Sequence, residues 1–461
     1  MRRHWSTIGL VLGPALAAAI ALAPTPDGLG VPGQRALAVM ALCVVWWLMT
    51  PVALPVTALV GLGLLPVLGV LGPTEAFALF GNQAVFFVVG VFLVAAAMLK
   101  TGLSKRLALW TLRATAKTED RLAAAVLGLS AVLCAFVVSH AVAALMLPIV
   151  VGIIDALDLG PRRRTAKRLL LSMAWGTILG SSLTLFGSAR ASLALSTYQA
   201  WGGEQNIGLL QFSAATVPPL LLMLLLAYVW LRIRLPPENL AMEPALKRLD
   251  QRVQELGPVG RHELTTVGVI GLMVVVIAVW GRDYGYGTLA LLCSGLLFVA
   301  RVLAWEQAER YVNWGIVLLY GGAIAIGAAL DQTGAMAWVV ERTMPSGGMG
   351  PVAALATIAV LSFALSELVS NAAVIALALP AVLAITPILG LDPRVVTILM
   401  PVAAGFALSM PTSTPAMAMV YGTGYLKVRR VLVTGLPLSI VGVAVLTAFA
   451  LLVWPLLGLG S

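Results

Sequence analysis

The stretch SHAVAALMLPIV at 139–150 returns, loosely rewritten, as SNAAVIALALPAV at 370–382. Each copy lies inside a long apolar run. Each is followed, 40 to 48 residues on, by a small, polar, helix-breaking cluster: GSARAS at 187–192 and MPTSTPA at 410–416. A polar, broken motif in hydrocarbon is costly, because lipid offers no partners to freed backbone groups. Two of them in corresponding halves of the chain point to a substrate site near the membrane midplane.

The surroundings fit that reading. The chain has 461 residues, of which 60% are hydrophobic and 10% charged, and its mean hydropathy is +1.00. This composition indicates a polytopic α-helical membrane protein. The apolar runs are continuous rather than alternating, which excludes an outer-membrane barrel. Arg2 and Arg3, followed by apolar residues 10–23, resemble a signal peptide, but no persuasive cleavage site follows, so the segment reads as the first transmembrane helix. Cys43, Cys134 and Cys293 sit in apolar runs and read as small buried hydrophobes. A net charge of +10 would suggest nucleic acid in a soluble protein. Here the excess of cations in cytoplasmic loops accounts for it, and no nucleic-acid partner is expected.

Hydropathy places crossings near 7–23, 36–50, 52–71, 77–99, 169–196, 209–231, 264–281, 285–300, 312–330, 396–424 and 431–456. A crossing takes about 20 residues. The blocks 122–157 and 349–389 are therefore too long for one pass, and each is expected to be a re-entrant hairpin of two short arms. The fold class is all-α, with about 11 transmembrane helices plus two re-entrant helical hairpins in an inverted repeat. With that topology, 24 of the 29 Lys and Arg fall on the cytoplasmic side and only Arg35, Arg282, Arg342 and Arg394 outside. The protein is expected in a bacterial-type inner membrane, N-terminus cytoplasmic and C-terminus outside.

The repeat extends beyond the hairpins. NQAVFFVVGVFLVAAAMLKTG at 82–102 and NWGIVLLYGGAIAIGAALDQTG at 313–334 share an opening Asn and a closing Thr-Gly. Each leads into an amphipathic segment suited to the membrane interface, at 100–118 and 332–343. The expected divisions are 1–121, scaffold helices and interfacial helix; 122–231, first hairpin, broken helix and following helix; 232–263, a cytoplasmic linker; 264–348, second-half scaffold and interfacial helix; and 349–461, second hairpin, broken helix and last helix.

The chemistry lies in the polar residues at depth. Ser139 with His140, and Ser370 with Asn371, occupy the two hairpin tips. Free amides at helix N-termini suit carboxylate, sulfate or phosphate, while carbonyl and side-chain oxygens suit Na⁺. Gly187-Ser188 and Ser413-Thr414-Pro415 interrupt the helices expected to face the tips. Arg190 is a charge inside the membrane and is functional by default; it can meet an anionic substrate or pair with Glu367. His140 can carry a proton, donate to substrate, or simply pack. No nucleophile-and-base set, phosphate-binding glycine loop or metal-ligand pair appears, so an enzyme is not expected.

With hairpins, repeats and breaks in hand, the chain resembles the divalent anion/sodium symporter family of the wider ion-transporter superfamily. Besides the tips, WWLMTPVALPVTALVGLGLLPVLGV at 46–70 is similar to that family's early helix pair, and MPTSTPAMAMVYGTGYLKVRRVLVTGLPL at 410–438 to its last helices. The resemblance implies a homodimer whose transport part moves as a rigid body, elevator fashion, carrying di- or tricarboxylate or sulfate, commonly with Na⁺. Taken with the polar residues at depth, it leads to expected substrate contacts at Ser139, His140, Ala141, Ser188, Arg190, Ser370, Asn371, Ala372, Thr414 and Pro415. The family's tips read Ser-Asn-Thr; here Ala141 and Ala372 replace the threonines. The second sodium site is implied at Ser366, Val369, Asn371 and Ser413. Of the first, Ser139 and Gly187 remain, while Ala135 and His140 break the set. The expectation is an anion transporter with reduced Na⁺ stoichiometry or with H⁺ coupling through His140, and no cofactor beyond Na⁺. The alternatives are a cation/proton antiporter or arsenite-type exporter, and a non-transporting membrane subunit.

Overall fold

The computed structural model describes residues 2–203, 207–343 and 349–460. The side chains of Arg2, Arg3 and Arg282, used in the charge count, and residues 344–348, which close the fourth expected division, lie outside the described residues. Every assigned element is a helix. The first half holds α1 (Arg2–Leu22), α2 (Val31–Met49), α3 (Leu54–Val67), α4 (Pro73–Phe80), α5 (Gln83–Thr101), α6 (Leu103–Thr115), α7 (Glu119–Cys134), α8 (Ser139–Ala156), α9 (Arg164–Gly180), α10 (Ala189–Ala200) and α11 (Leu209–Arg234). The connecting segment carries α12 (Glu243–Gln254). The second half holds α13 (Arg261–Tyr284), α14 (Tyr286–Val299), α15 (Trp305–Tyr311), α16 (Trp314–Gln332), α17 (Ala335–Thr343), α18 (Pro351–Leu368), α19 (Asn371–Leu389), α20 (Pro393–Ala404), α21 (Pro415–Gly422) and α22 (Val428–Leu452).

Among the described residues, nine helical stretches are long and apolar enough to cross a membrane, and four shorter apolar helices accompany them. The chain is an all-α polytopic membrane protein. The nine do not map onto the eleven expected crossings: three of them, Ser139–Ala156, Pro351–Leu368 and Asn371–Leu389, belong to the two long apolar blocks, while the expected crossings 169–196 and 396–424 are divided and those at 7–23, 52–71 and 285–300 are shorter helices. The run 77–99 breaks at Gly81, where the Asn82 side chain accepts the Ala84 amide and starts α5 afresh. Its partner in the repeat behaves alike: Asn313 accepts the Ile316 amide and starts α16. A side-chain oxygen at the N-cap satisfies one of the donors that a helix start leaves free.

Both long apolar blocks are interrupted at their polar motifs. In the first, the helix stops at Cys134 and resumes at Ser139. In the second it stops at Leu368, and Ser370 caps the new helix by accepting the Ala373 amide. The two following helices are interrupted as well, at 181–188 and 405–414, and resume behind equivalent caps. Ser188 accepts from Ala191 and Thr414 from Met417.

The interrupted segments pack against one another. α7 lies along α9 and α18 along α20. The α7–α9 approach is close enough to need glycine. A Cβ on Gly180 would lie 2.2 Å from the Ala131 Cα, and one on Gly187 would lie 1.8 Å from the Cys134 carbonyl oxygen. The pairing then crosses between halves, with α10 on α19 and α21 on α8. Of the other helices, α3 and α4 pack on α16, α13 and α14 on α5, and α11 on α22.

The connecting segment is ordered rather than loose. α12 packs on α6 and α8. Arg106 of α6, 5% exposed, pairs with Glu263 at 2.9 Å and donates to the carbonyls of Leu256, Gly257 and Pro258. A buried guanidinium needs that many acceptors.

Candidate functional site

The interruption in each long apolar block is tied to the break of its neighbouring helix by a threonine. In the first half Thr184 donates to the Ala135 carbonyl, the group freed where α7 ends. The same hydroxyl accepts from Phe186 at 3.2 Å. In the second half Thr412 donates to the Glu367 carbonyl at 3.0 Å. The two ties are chemically alike: a hydroxyl on the break satisfies a carbonyl near the end of the preceding helix, where no helical donor remains.

Glu367 does more. Its carboxyl oxygens accept the amides of Ser409 at 3.2 Å and Met410 at 2.8 Å, so the second break is folded around this one side chain. Ser413 adds hydrogen bonds to the Ala407 and Met410 carbonyls. Beside it, Ser366 donates to Asn371 Oδ1. Asn371 is 6% exposed, and its Nδ2 is buried without a hydrogen-bond partner among the described residues. Half a turn of that carboxamide would keep the Ser366 contact and present Oδ1 instead. The position therefore offers either a donor to an anion or an acceptor to a cation.

Arg190 closes the centre. It is 8% exposed and sits in the first turn of α10. Its Nε donates to the Pro401 carbonyl at 2.7 Å and its Nη2 to Ser182. Gly405 makes room, for a Cβ there would lie 2.3 Å from Nη2. Pro401 belongs to the last turn of α20, where the helix dipole favours a cation. The guanidinium thus staples the second broken helix to the first. The expected alternative, a pair with Glu367, is corrected: among the described residues no Arg190–Glu367 ion pair forms, because Glu367 is engaged by the amides of its own half. A second tie runs the same way, from Trp175 Nε1 to the Leu408 carbonyl at 3.0 Å.

Of the remaining expected positions, Ser139 and His140 are half-buried in the first turn of α8, Ala141 is buried, and Ser370 and Ala372 are half-buried at the start of α19. His140 makes no hydrogen bond among the described residues. Ser188 and Thr414 are buried caps, while Pro415 is exposed. Val369 is half-buried between the arms of the second block, Ser413 is buried in the second break, and Gly187 lies against the Cys134 carbonyl. The structure brings Ser366, Asn371, Glu367 and the second break together, and joins the two breaks through Arg190. Thr184, Ser182 and Gly405 were not anticipated. Of these, only Thr184 had a signal, as a hydroxyl four residues before the cap Ser188.

This arrangement has relatives. The family model of the sodium:sulfate symporter transmembrane region matches residues 3–459. A sodium-dependent dicarboxylate transporter, SdcS, of Staphylococcus saprophyticus is 26% identical over 98% of this chain and 92% of its own. Its namesake in Staphylococcus aureus is 24% identical over 97% and 91%. Among solved structures, Neisseria gonorrhoeae MtrF superimposes with a TM-score of 0.57 at 14% identity, covering 98% of this chain and 94% of its own. The Alcanivorax borkumensis YdaH transporter gives 0.53 at 13% identity over 82% and 86%. At such low identity these two speak for the fold alone. The family match spans nearly every residue, and this chain is a member of the sodium:sulfate symporter family of membrane transporters.

Proposed function

We propose that this chain is a secondary active transporter of small dianions, dicarboxylate or sulfate-like, that holds its substrate between the two tips Ser139-His140 and Ser370-Asn371. The observation that carries this reading is the repeated unit of interrupted block and interrupted helix, crossed between halves and stapled by Arg190. The names of the staphylococcal relatives support the choice of dicarboxylate and of Na⁺ as coupling ion. In this reading the blocks 122–157 and 349–389 are re-entrant hairpins, the N-terminus is cytoplasmic, the C-terminus is outside, and the protein works as a homodimer by elevator-type alternating access.

One Na⁺ would bind at Ser366, Asn371 and the carbonyls of Val369 and Ser413. Arg190 would provide permanently the positive charge that a first Na⁺ brings elsewhere in the family, since Ala135 offers no hydroxyl at that place. Uptake of succinate and of sulfate into proteoliposomes, under separate Na⁺ and pH gradients, tests this. The expected result is Na⁺-stimulated uptake with a Hill coefficient of about one; a coefficient above two overturns the reduced stoichiometry.

A second reading rests on His140, which is half-buried at the tip without a protein partner. If it carries the coupled proton, the pH gradient alone drives uptake and His140→Gln abolishes that drive.

A further inference from the structure

At the basic end of the bundle, the start of α9, the end of α11 and the start of α22 line an open cleft of about 730 Å³. Five cations line it: Arg164, Arg234, Lys427, Arg429 and Arg430. None of the five makes an ion pair among the described residues. The carboxylates close by are already engaged. Glu238 accepts the Thr165 amide at 2.9 Å and meets Arg163 at 3.4 Å. Asp120 is shared by Arg168 at 2.8 Å and Arg232 at 3.2 Å. The charge of the cleft is therefore uncompensated by protein.

The site is also built. Arg234 lies over the Trp230 ring, 5.5 Å from its centroid, and Trp230 Nε1 donates to the Thr434 carbonyl at 2.7 Å. That bond fixes α11 to α22 and holds the guanidinium in place. Behind the cleft, Lys167 is 6% exposed and donates to the Arg162 carbonyl at 3.0 Å. Burial, then the charge of Arg430, lowers its ammonium below the ordinary lysine range despite Glu238. Such crowding of like charge calls for an anion. The rim is apolar: Ile233 is 66% and Val433 55% exposed, on α11 and α22, both of membrane-spanning length and composition. An interfacial Trp beneath a basic pocket, flanked by lipid-facing aliphatics, is the setting in which a headgroup phosphate sits.

We infer that this cleft binds a phosphate group, carried by an anionic phospholipid whose acyl chains lie along Ile233 and Val433, and so clamps the start of α9 to the last helix. The site stands apart from the tips and does not depend on which anion is transported.

The test uses the full chain in a neutral detergent, with phosphatidylglycerol or cardiolipin against phosphatidylcholine, and with inorganic phosphate as a lipid-free arm. Thermal unfolding and the lipid retained in native mass spectra are read together. The anionic lipids should raise the unfolding temperature and remain bound, and phosphatidylcholine should do neither. The pair Arg429→Gln/Arg430→Gln, and Arg234→Gln on a different helix, should each weaken anionic-lipid binding by about tenfold or more. The charge-matched pair Lys247→Gln/Arg261→Gln, elsewhere on exposed positions, should not. Equal loss in the charge-matched pair, or binding of phosphatidylcholine as tight as of phosphatidylglycerol, overturns the site. Inorganic phosphate giving the whole shift by itself would overturn the lipid as the source.

Discussion

The guanidinium of Arg190, at the start of one broken helix, is hydrogen-bonded at 2.7 Å to the carbonyl of Pro401 in the other. A charge buried in a membrane protein must be matched by acceptors or by a ligand. Here the match is made by an uncharged carbonyl and the Ser182 hydroxyl, so the positive charge itself is not cancelled. It is held at the junction of the two breaks, where, under the proposed function, a bound anion would feel it.

Replacing Arg190 by Ala strands the Pro401 carbonyl and the Ser182 hydroxyl in a buried place. Each stranded group costs about 1–3 kcal/mol, so the thermal midpoint in detergent should fall clearly. Arg190→Lys keeps the charge and one donor direction, and should lie between. If Arg190 stands in for a coupling ion, Arg190→Lys retains the Na⁺ dependence of uptake. Arg190→Gln, which keeps a donor and loses the charge, should then transport poorly even at saturating Na⁺. Full transport in Arg190→Gln would remove the charge from the mechanism.

Two glycines of the first half make opposite predictions. A Cβ at Gly187 would lie 1.8 Å from the Cys134 carbonyl oxygen, whereas at Gly128 nothing lies within 4 Å. Gly187→Ala must push the first tip away from its break, at a cost of about 1–3 kcal/mol or more. Gly128→Ala, mid-helix in α7, should stabilise by about 0.5–1 kcal/mol, through lower backbone entropy in the unfolded chain. Thermal unfolding of the two variants side by side checks this, and a neutral Gly187→Ala would mean that the two segments do not meet so closely.

These cases also show where reading the chain alone succeeds. The interruptions at Ser139 and Ser370, and the breaks at Gly187-Ser188 and Ser413-Thr414-Pro415, were visible because small polar residues in apolar runs leave few other roles; that Ser188 and Thr414 cap the resumed helices was not. Asn82 and Asn313 were visible as matched openings of a repeat, though not as caps that divide an apolar run. What hydropathy cannot report is which faces approach across the bundle. The partner of Arg190 depended on Gly405, more than two hundred residues away, lacking a Cβ. Arg106 read as an interfacial cation, yet three carbonyls and Glu263 bury it, because the connecting segment folds back onto α6. Glu367 stood as one of two possible partners of Arg190 on charge alone, whereas the nearer amides of Ser409 and Met410 engage it.

Glu119, at the start of α7, makes stability depend on pH. Burial would raise its carboxyl, but the Thr165 hydroxyl at 2.5 Å, the amides of Glu238 and Leu240, and Arg168 outweigh it and hold it below its ordinary value of 4.5. A lowered carboxyl contributes stability that is fully present above 4.5 and is lost as pH falls through the folded-state value. Unfolding temperature should therefore be level near neutrality and drop in acid. Glu119→Gln should be less stable than the parent at pH 7, by about 1–3 kcal/mol, and should show a shallower acid drop. A variant that loses as much stability between pH 5 and pH 3 as the parent would assign the acid sensitivity to other groups.

The sharpest test of ion coupling is the pair Ser366 and Asn371, because their side chains already touch and one end of the Asn371 carboxamide is buried without a partner. If that carboxamide serves a cation, Asn371→Ala should abolish Na⁺ stimulation of uptake, and Ser366→Ala should raise the Na⁺ concentration needed for half-maximal rate. Neither side chain caps a helix, so the fold should persist. Added Na⁺ should raise the unfolding temperature of the parent by mass action and leave that of Asn371→Ala unchanged, with choline as the control cation. Should Asn371→Ala keep both its Na⁺-dependent stabilisation and its Na⁺-stimulated uptake, the cation binds elsewhere, and the free Asn371 amide is left to the substrate anion.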